Sequence, residues 1–599
     1  MTIYRCWQDL PYLEIWVVDT EFCPGAGTRN GGKHGDPITP YSLVAYEMRS
    51  RRIVRLLQHE LGPTPPYGLG SDTLVVGFFL AAEFGFHLAK GWGQPANALD
   101  LYIEHRHITN NGALKAEDLD KGFYSLAGAA RYYGQDTIDT THKQEMRERI
   151  IEGPPFSDNE ARTNIEYNED DTRWTAKLLE HMTPMIRSLE HALFRAKVAW
   201  AVACEERRGV PLDMPCVIRI RTHWGDIALD LVRTMDRPFG IYEIEDGVAH
   251  WREERFKAYL RRHGMGWPTY DNGTLDQRDQ TFREMEGKYP QIGPLRELRF
   301  SLSKLRLNNL QVGNDGRNRV LLGPYGSKGG SNQPSNSKYI FGPAKWIRHL
   351  ITPPPGRALV HRDYCQQEIR IAAILSGDKA LLAACEAGDV YRNIAAQLGF
   401  MRDGMSELEV AHVRALFKTV VLGISYGLGA RSLAIRIGLS LYEAAEILAR
   451  LRARFHVFED FCRAVSDRAG LDLEISTPLG WIMQCPPGIN PRTVRNFPMQ
   501  STAAEILHVF CVLAERRGIE VCAPIHDAFL CESALADIED ASIAVDRCMR
   551  DASALVLRGY ELPTDQQIIR PGQRYEDKRG REMWDTVTGL VAKLEAKTA

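Results

Sequence analysis

Two short apolar runs, 164 positions apart (363 to 527), each break on a carboxylate, and together they limit what this chain can become. Residues 519–532 read IEVCAPIHDAFLCE. The apolar pattern stops at His526 and Asp527 and resumes with Ala528, Phe529 and Leu530, which predicts two strands joined by a tight turn with Asp527 at its tip. Residues 358–364, ALVHRDY, predict a strand that delivers Asp363 to its end, with Glu368 and Arg370 opening the amphipathic segment beyond. A single strand-end aspartate is ordinarily a cap or turn residue. Two that face each other repel, and the arrangement makes sense when divalent cations lie between them. Hard cations select oxygen ligands, and a pair of them clamps the attacking and leaving oxygens of a phosphoryl transfer.

Between the two aspartates, SELEVAHVRALFKTVVLGISYGLGARSLA (406–434) opens with a capping box, Ser406 with Glu409. Arg414, Lys418, Leu422 and Tyr426 recur every four residues and share one helix face. Two cations followed by an apolar and an aromatic side chain can grip a triphosphate at one end and a base at the other; a solvated basic patch running into a core stripe has the same pattern. Gly423 and Gly427 each weaken a helix by roughly 1 kcal/mol relative to Ala, which points to close packing or a hinge. Further on, NPRTVRNFPMQSTAAEILHVF (490–510) spaces Arg492, Asn496 and Gln500 by four as well, although Pro498 argues against a straight helix through all three. Such polar groups suit sugar, phosphate and minor-groove contacts.

In this order and spacing the segments resemble the motifs of family A DNA polymerases, the large-fragment type of bacterial and phage DNA polymerase I. Asp363-Tyr364-Cys365-Gln366-Gln367-Glu368-Ile369-Arg370 matches motif A. Arg414, Lys418, Tyr426 and Gly427 match motif B, and His526-Asp527-Ala528 matches motif C. Arg492 through Ala504 resembles the helix that precedes motif C. The resemblance implies that Asp363 and Asp527 hold two Mg²⁺ ions, and that Arg414 and Lys418 bind the incoming triphosphate, with Lys418 able to protonate pyrophosphate. It further implies that Tyr426 closes on the nascent base pair, that Glu368 excludes a 2′-hydroxyl, and that His526, Gln500, Arg492 and Asn496 hold primer and template. Three departures stand out. Ala528 replaces an acid, Leu422 replaces an aromatic residue in the nucleotide pocket, and Gly329-Gly330-Ser331 aligns with a Thr-Gly-Arg loop whose arginine is then absent or moved.

Near the N-terminus, LEIWVVDTEF places Asp19 and Glu21 on one face of a strand. Tyr167 and Asp171, in YNEDDTRW, are four apart on a helix. The order D-x-E…Y-x₃-D resembles a DnaQ-like 3′–5′ exonuclease of the ribonuclease-H-like fold. That resemblance implies two further Mg²⁺ ions on Asp19, Glu21 and Asp171, with Tyr167 orienting a water. In the middle motif Phe79 replaces Asn and Glu83 replaces Asp, and Asp100 is a backup ligand or a structural residue.

The expected architecture is multidomain α/β and α+β. An exonuclease-like domain spans 1–187, a helical thumb with the start of the palm 188–330, and palm and fingers 331–599, the fingers near 379–470. Arg299, Lys304 and Arg306 would lend the thumb its charge. Only a dozen residues precede the first strand, so no 5′ nuclease is expected. The expected partners are primer-template DNA and dNTPs, and the expected state is a monomer without a membrane. The 12 Cys are scattered without a C-x-x-C pair, no signal peptide opens the chain, and no apolar run looks long enough to span a bilayer. These features fit a reducing cytoplasm. A single-subunit RNA polymerase shares both aspartates but lacks a gate such as Glu368; a catalytically silent primer-template binding protein fits Ala528. Restoring the motif C acid by Ala528→Glu is expected to leave single-nucleotide addition within roughly tenfold of wild type, about 1.4 kcal/mol in the barrier, in a rapid-quench primer-extension assay.

Overall fold

The computed structural model describes residues 4–23, 35–112, 122–135, 140–270, 273–304, 310–335, 338–342, 344–425, 427, 429–437 and 439–598. The first half is organised around a five-stranded sheet. Strands β1 (Glu14–Cys23), β2 (Thr39–Glu47), β3 (Ile53–Leu57), β4 (Thr73–Gly77) and β5 (Ala98–Asp100) pair in the order β3-β2-β1-β4-β5. β1 runs antiparallel to β2 and parallel to β4. This is the ribonuclease-H-like arrangement that the D-x-E strand implied. Both faces of β1 are covered, Ile15 and Val17 packing on one side and Trp16 and Val18 on the other.

The apolar run TLVVGFFL is a strand only as far as Gly77. Phe79 takes a left-handed φ of 73°, and helix α1 (Leu80–Lys90) begins at Leu80. The switch is driven by Asp100, whose carboxylate accepts the backbone N–H groups of Phe79 and Leu80 at 3.2 and 2.8 Å. Asp100 also caps helix α2 (Leu101–Thr109). Beyond it run helix α3 (Asp158–Met182), with a Ser157/Glu160 capping box, and helix α4 (Leu189–Arg208).

The second sheet is antiparallel throughout, in the order β7-β8-β6-β9: β6 (Arg357–Tyr364), β7 (Glu520–Ile525), β8 (Ala528–Ala534) and β9 (Thr564–Ile569). Helix α5 (Gln367–Ser376) follows β6, α6 (Glu407–Ser425) lies between α5 and α7 in the chain, and α7 (Pro491–Arg516) and α8 (Ile538–Val556) pack against the sheet. Phe529 stacks on Phe510 of α7, ring centroids 3.7 Å apart, and the Tyr364 hydroxyl donates to the Met549 carbonyl at 2.7 Å. Each large apolar side chain buried here contributes about 1.5–3 kcal/mol, so the sheet is anchored through the face opposite Asp363.

Helix α7 continues through Pro498, which is buried with Phe497 and Met499. Packing outweighs the lost backbone hydrogen bond, so one helix carries the spacing of four that Pro498 had left open. By length and composition α7 is also the one described helix apolar enough to cross a membrane, but 83% of that window is buried inside the protein, as for a core helix. After residue 213 the chain forms two helices, Met214–Thr222 and Trp224–Met235, broken at His223. Arg299 lies over the Trp251 ring at 4.1 Å within an aromatic cluster. The Lys304 side chain and all of Arg306 lie outside the described residues.

α4 joins the two halves. Arg195 Nε and Nη2 donate to Glu104 Oε1 and Oε2 at 2.6 and 2.8 Å with both side chains buried, and Arg208 donates to the Val521 carbonyl of β7 at 2.6 Å. Glu205, 2% exposed on the same helix, has its pKa pushed up to about 8 by burial, against the opposing pull of the Cys511 thiol and Arg208. The unfolded chain releases this proton near pH 4.3, so the native state loses relative stability as pH climbs from there towards 8. Glu205→Gln is therefore expected to stabilise the fold by on the order of 3 kcal/mol at pH 8, with the gain shrinking towards pH 5, in urea unfolding at the two pH values. A pH-independent difference would refute this assignment.

Candidate active site

The β7–β8 hairpin turns on His526 and Asp527, and His526 takes φ of 57°, a left-handed conformation that costs a non-glycine residue about 1–2 kcal/mol. Strain of this kind is retained where surrounding structure over-determines it. Ile525 pairs with Ala528 across the hairpin, and Ala528 pairs with Asp363 of β6. The Tyr364 N–H donates to the Asp527 carbonyl at 3.0 Å. The two aspartates separated in sequence are thereby brought side by side.

Their electrostatics follow. Burial, then the charges of Asp527 and Asp565, pushes Asp363 up to about 7. Burial also raises Asp527, with its own backbone N–H, His526 and Arg579 opposing. Asp363 Oδ1 is buried and has no hydrogen-bond partner. An orphaned carboxylate oxygen beside a second, half-buried carboxylate is a donor set for hard divalent cations, which prefer oxygen and lower both pKa values on binding. The residues therefore fit the expected Mg²⁺. Among the described residues no three His, Cys, Asp or Glu side chains form a preassembled cage. That suits an ion that binds through one or two carboxylates together with water and substrate phosphate.

A cavity of about 810 Å³ opens beside the pair, lined by Asp527, His526, Glu368 of α5 and Arg492, Asn496 and Gln500 of α7. The helix running through Pro498 keeps the last three on one face, and Asn496 Oδ1 is buried without a partner. Lys328 lines the same cavity. The loop expected to have lost its cation thus carries one a residue before the glycine pair; Gly330, at φ of 85°, would place a Cβ 3.3 Å from Trp481 Nε1. Arg414 and Lys418 lie on α6 outside this lining. Arg414 is paired with Asp389 and sits over Tyr391 at 5.8 Å, and Lys418 is exposed. Leu422 is within α6, Tyr426 lies outside the described residues, and a Cβ on Gly427 would approach Arg492 Cγ to 3.3 Å.

Residues 342–567 match the model of DNA polymerase family A. This segment belongs to that family. DNA polymerase I of Chloroflexus aurantiacus is 25% identical over 388 residues, 60% of this chain and 40% of the relative. DNA polymerase I of Mycobacterium bovis is 33% identical over 192 residues, 29% of this chain and 21% of the relative. DNA polymerase theta of Mus musculus is 30% identical over 183 residues, 28% of this chain and 7% of the relative. The chain spans less than half the length of these curated relatives. Among solved structures, the POL domain of Pol1 from M. smegmatis, in complex with DNA primer-template and dNTP, superposes with a TM-score of 0.72 at 17% identity, covering 95% of this chain and 98% of that one. The matched segment contains Asp363, Glu368, Arg414, Lys418, Arg492, Asn496, Gln500, His526 and Asp527, whereas Lys328 and Arg579 lie outside it.

At the N-terminal sheet, burial and then the nearby charges of Asp171 of α3 and of Glu21 and Asp19 of β1 hold the Tyr167 hydroxyl far above its ordinary range. Glu83 is buried on α1 and accepts the Thr20 hydroxyl, and burial, with Glu21, Asp100 and Asp171 nearby, drives its pKa well up. Asp100, the alternative ligand, accepts four backbone N–H groups, those of Phe79, Leu80, Tyr102 and Ile103, and is a double helix cap.

Sequence reasoning missed Lys328, Arg579 and Asp565. Lys328 sits in a Gly/Ser loop with no periodicity. Arg579, bonded to Asp577, lies close enough to lower Asp363, but only the fold places it there. Because the paired charges oppose the metal-free fold, Asp527→Asn is expected to stabilise the metal-free protein by about 1 kcal/mol above pH 7, where Asp363 is ionised, and by less towards pH 5. The same variant should lose the rise in Tm that Mg²⁺ gives wild type, which differential scanning calorimetry with and without Mg²⁺ measures.

Proposed function

We propose that the chain is a template-directed DNA polymerase that extends a primer 3′ end, with Asp363 and Asp527 holding two Mg²⁺ ions. The observation that carries this reading is the pairing of Asp363 with the hairpin tip at the mouth of the cavity lined by Glu368, Arg492, Asn496, Gln500 and His526. When bound, the cations supply charge neutralisation and polarisation for phosphoryl transfer. The chain's own residues position the reactants, since this chemistry asks little covalent work of the protein. Lys328, Arg492, Asn496 and Gln500 present donors to the backbone and base edges of a duplex. Glu368 stands where a nucleotide sugar would enter and disfavours a 2′-hydroxyl. Arg414 and Lys418 are supplied from α6 for the triphosphate, with Arg414 exchanging Asp389 for phosphate oxygens and Lys418 placed to donate a proton to pyrophosphate. The M. smegmatis neighbour was solved with primer-template and dNTP, which supports these partners. A monomer in the cytoplasm is the simplest setting.

A 3′–5′ exonuclease at the N-terminal sheet is the second activity proposed, supported by the charges of Asp171, Glu21 and Asp19 all acting on Tyr167. Primer extension on matched and mismatched 3′ ends tests both. DNA products from dNTPs are expected, reduced by about 10³-fold or more in Asp527→Ala, and Asp19→Ala should spare extension while ending mismatch trimming. RNA products from rNTPs would instead indicate an RNA polymerase, and binding without extension a silent primer-template binding protein.

A further inference from the structure

Three positions form one row across the palm sheet: Ala528 on β8, Asp363 on β6 and Asp565 on β9. Residues directly opposed in antiparallel strands project from the same face, with Cβ atoms about 4.5–5.5 Å apart. The neighbouring row, Phe529, Arg362 and Gln566, faces the other way, and there Arg362 donates to Gln566 Oε1 at 2.7 Å. Asp565 therefore shares the cation-facing side with Asp363. On one side of Asp363 the sheet offers a methyl group where relatives of this motif carry an acid; on the other it offers a carboxylate.

We propose that Asp565 is the third carboxylate facing the palm cations, taking over across the sheet from the acid that Ala528 lacks. The inference rests on the polymerase reading. Like charges directly opposed on antiparallel strands destabilise the pair, so an aspartate opposite Asp363 is a poor choice for strand stability alone. Asp363 Oδ1, buried and without a partner, marks where positive charge is missing. Asp565 is exposed, and one carboxylate oxygen accepts the Gln566 N–H at 2.9 Å. It faces the hydrated side of the site, where an ion that keeps several waters is held through them. A plainer role exists, because β9 is an edge strand and an edge charge discourages strand addition by another molecule. That role has no dependence on cation.

The test uses the full chain carrying Asp19→Asn, which removes a carboxylate of the N-terminal cluster, and Mn²⁺ alone as probe, with free ion followed by electron paramagnetic resonance. Asp363→Asn serves as the reference for loss of the palm site. Adding Asp565→Asn is expected to weaken palm Mn²⁺ binding roughly tenfold and to raise by a similar factor the Mg²⁺ concentration giving half-maximal primer extension. Asp565→Glu should retain binding, and Ala528→Glu added to Asp565→Asn should restore it. Unchanged Mn²⁺ affinity and Mg²⁺ requirement in Asp565→Asn, in a chain that extends primers, would overturn the inference and leave the polymerase reading intact. A loss that Ala528→Glu fails to restore would overturn the exchange of roles. Failure of the parent chain to extend primers would instead count against the polymerase reading itself.

Discussion

The palm is arranged around an unfavourable contact, two half-buried carboxylates brought together so that each opposes ionisation of the site. The antiparallel register forces this, since Asp363 pairs with the residue that follows Asp527 in the hairpin. The cost is met on the opposite face of the sheet, where Phe529 on Phe510 and Tyr364 on Met549 bury large apolar surface. A site of this kind is stable because the sheet beneath it is over-determined, and it is reactive because its charges are unsatisfied.

The same logic extends outward. α4 ties the N-terminal sheet to the palm through the buried Arg195–Glu104 pair, and removing one partner of such a pair costs about 3–5 kcal/mol. Asn110 donates to the carbonyls of Lys328 and Ile482, and Arg106 to that of Tyr325, so the loop that lines the cavity is held from the N-terminal half. The N-terminal half therefore supports the geometry of the palm cavity as well as carrying carboxylates of its own.

Much of this was legible residue by residue. The strands that lead to Asp363 and Asp527 follow from apolar alternation, the capping box at Ser406 marks a helix start, and Asp19 with Glu21 falls on one strand face because strands have period two. Pro498 left the helix through Arg492, Asn496 and Gln500 open, because the rule against proline in helices is local and the packing that overrides it is not. TLVVGFFL is ambiguous for a similar reason, since apolar residues suit strand and helix alike and the boundary depends on Asp100, about 20 residues onward.

The chain's order of turns, apolar runs and polar residues determined by itself that a hairpin would carry Asp527 at its tip and that motif A would follow a strand, because such choices depend on backbone geometry within a few residues. Tertiary structure alone decided which strands became neighbours. Pairing is set by burial of one sheet face against α7 and α8, a condition no local window contains. It made Asp363 the neighbour of Asp565 as well as of Ala528, placed Arg579 near both aspartates, and brought Lys328 to the cavity. The identity of the chemistry could be read along the chain; the charge balance that tunes it exists only across the sheet.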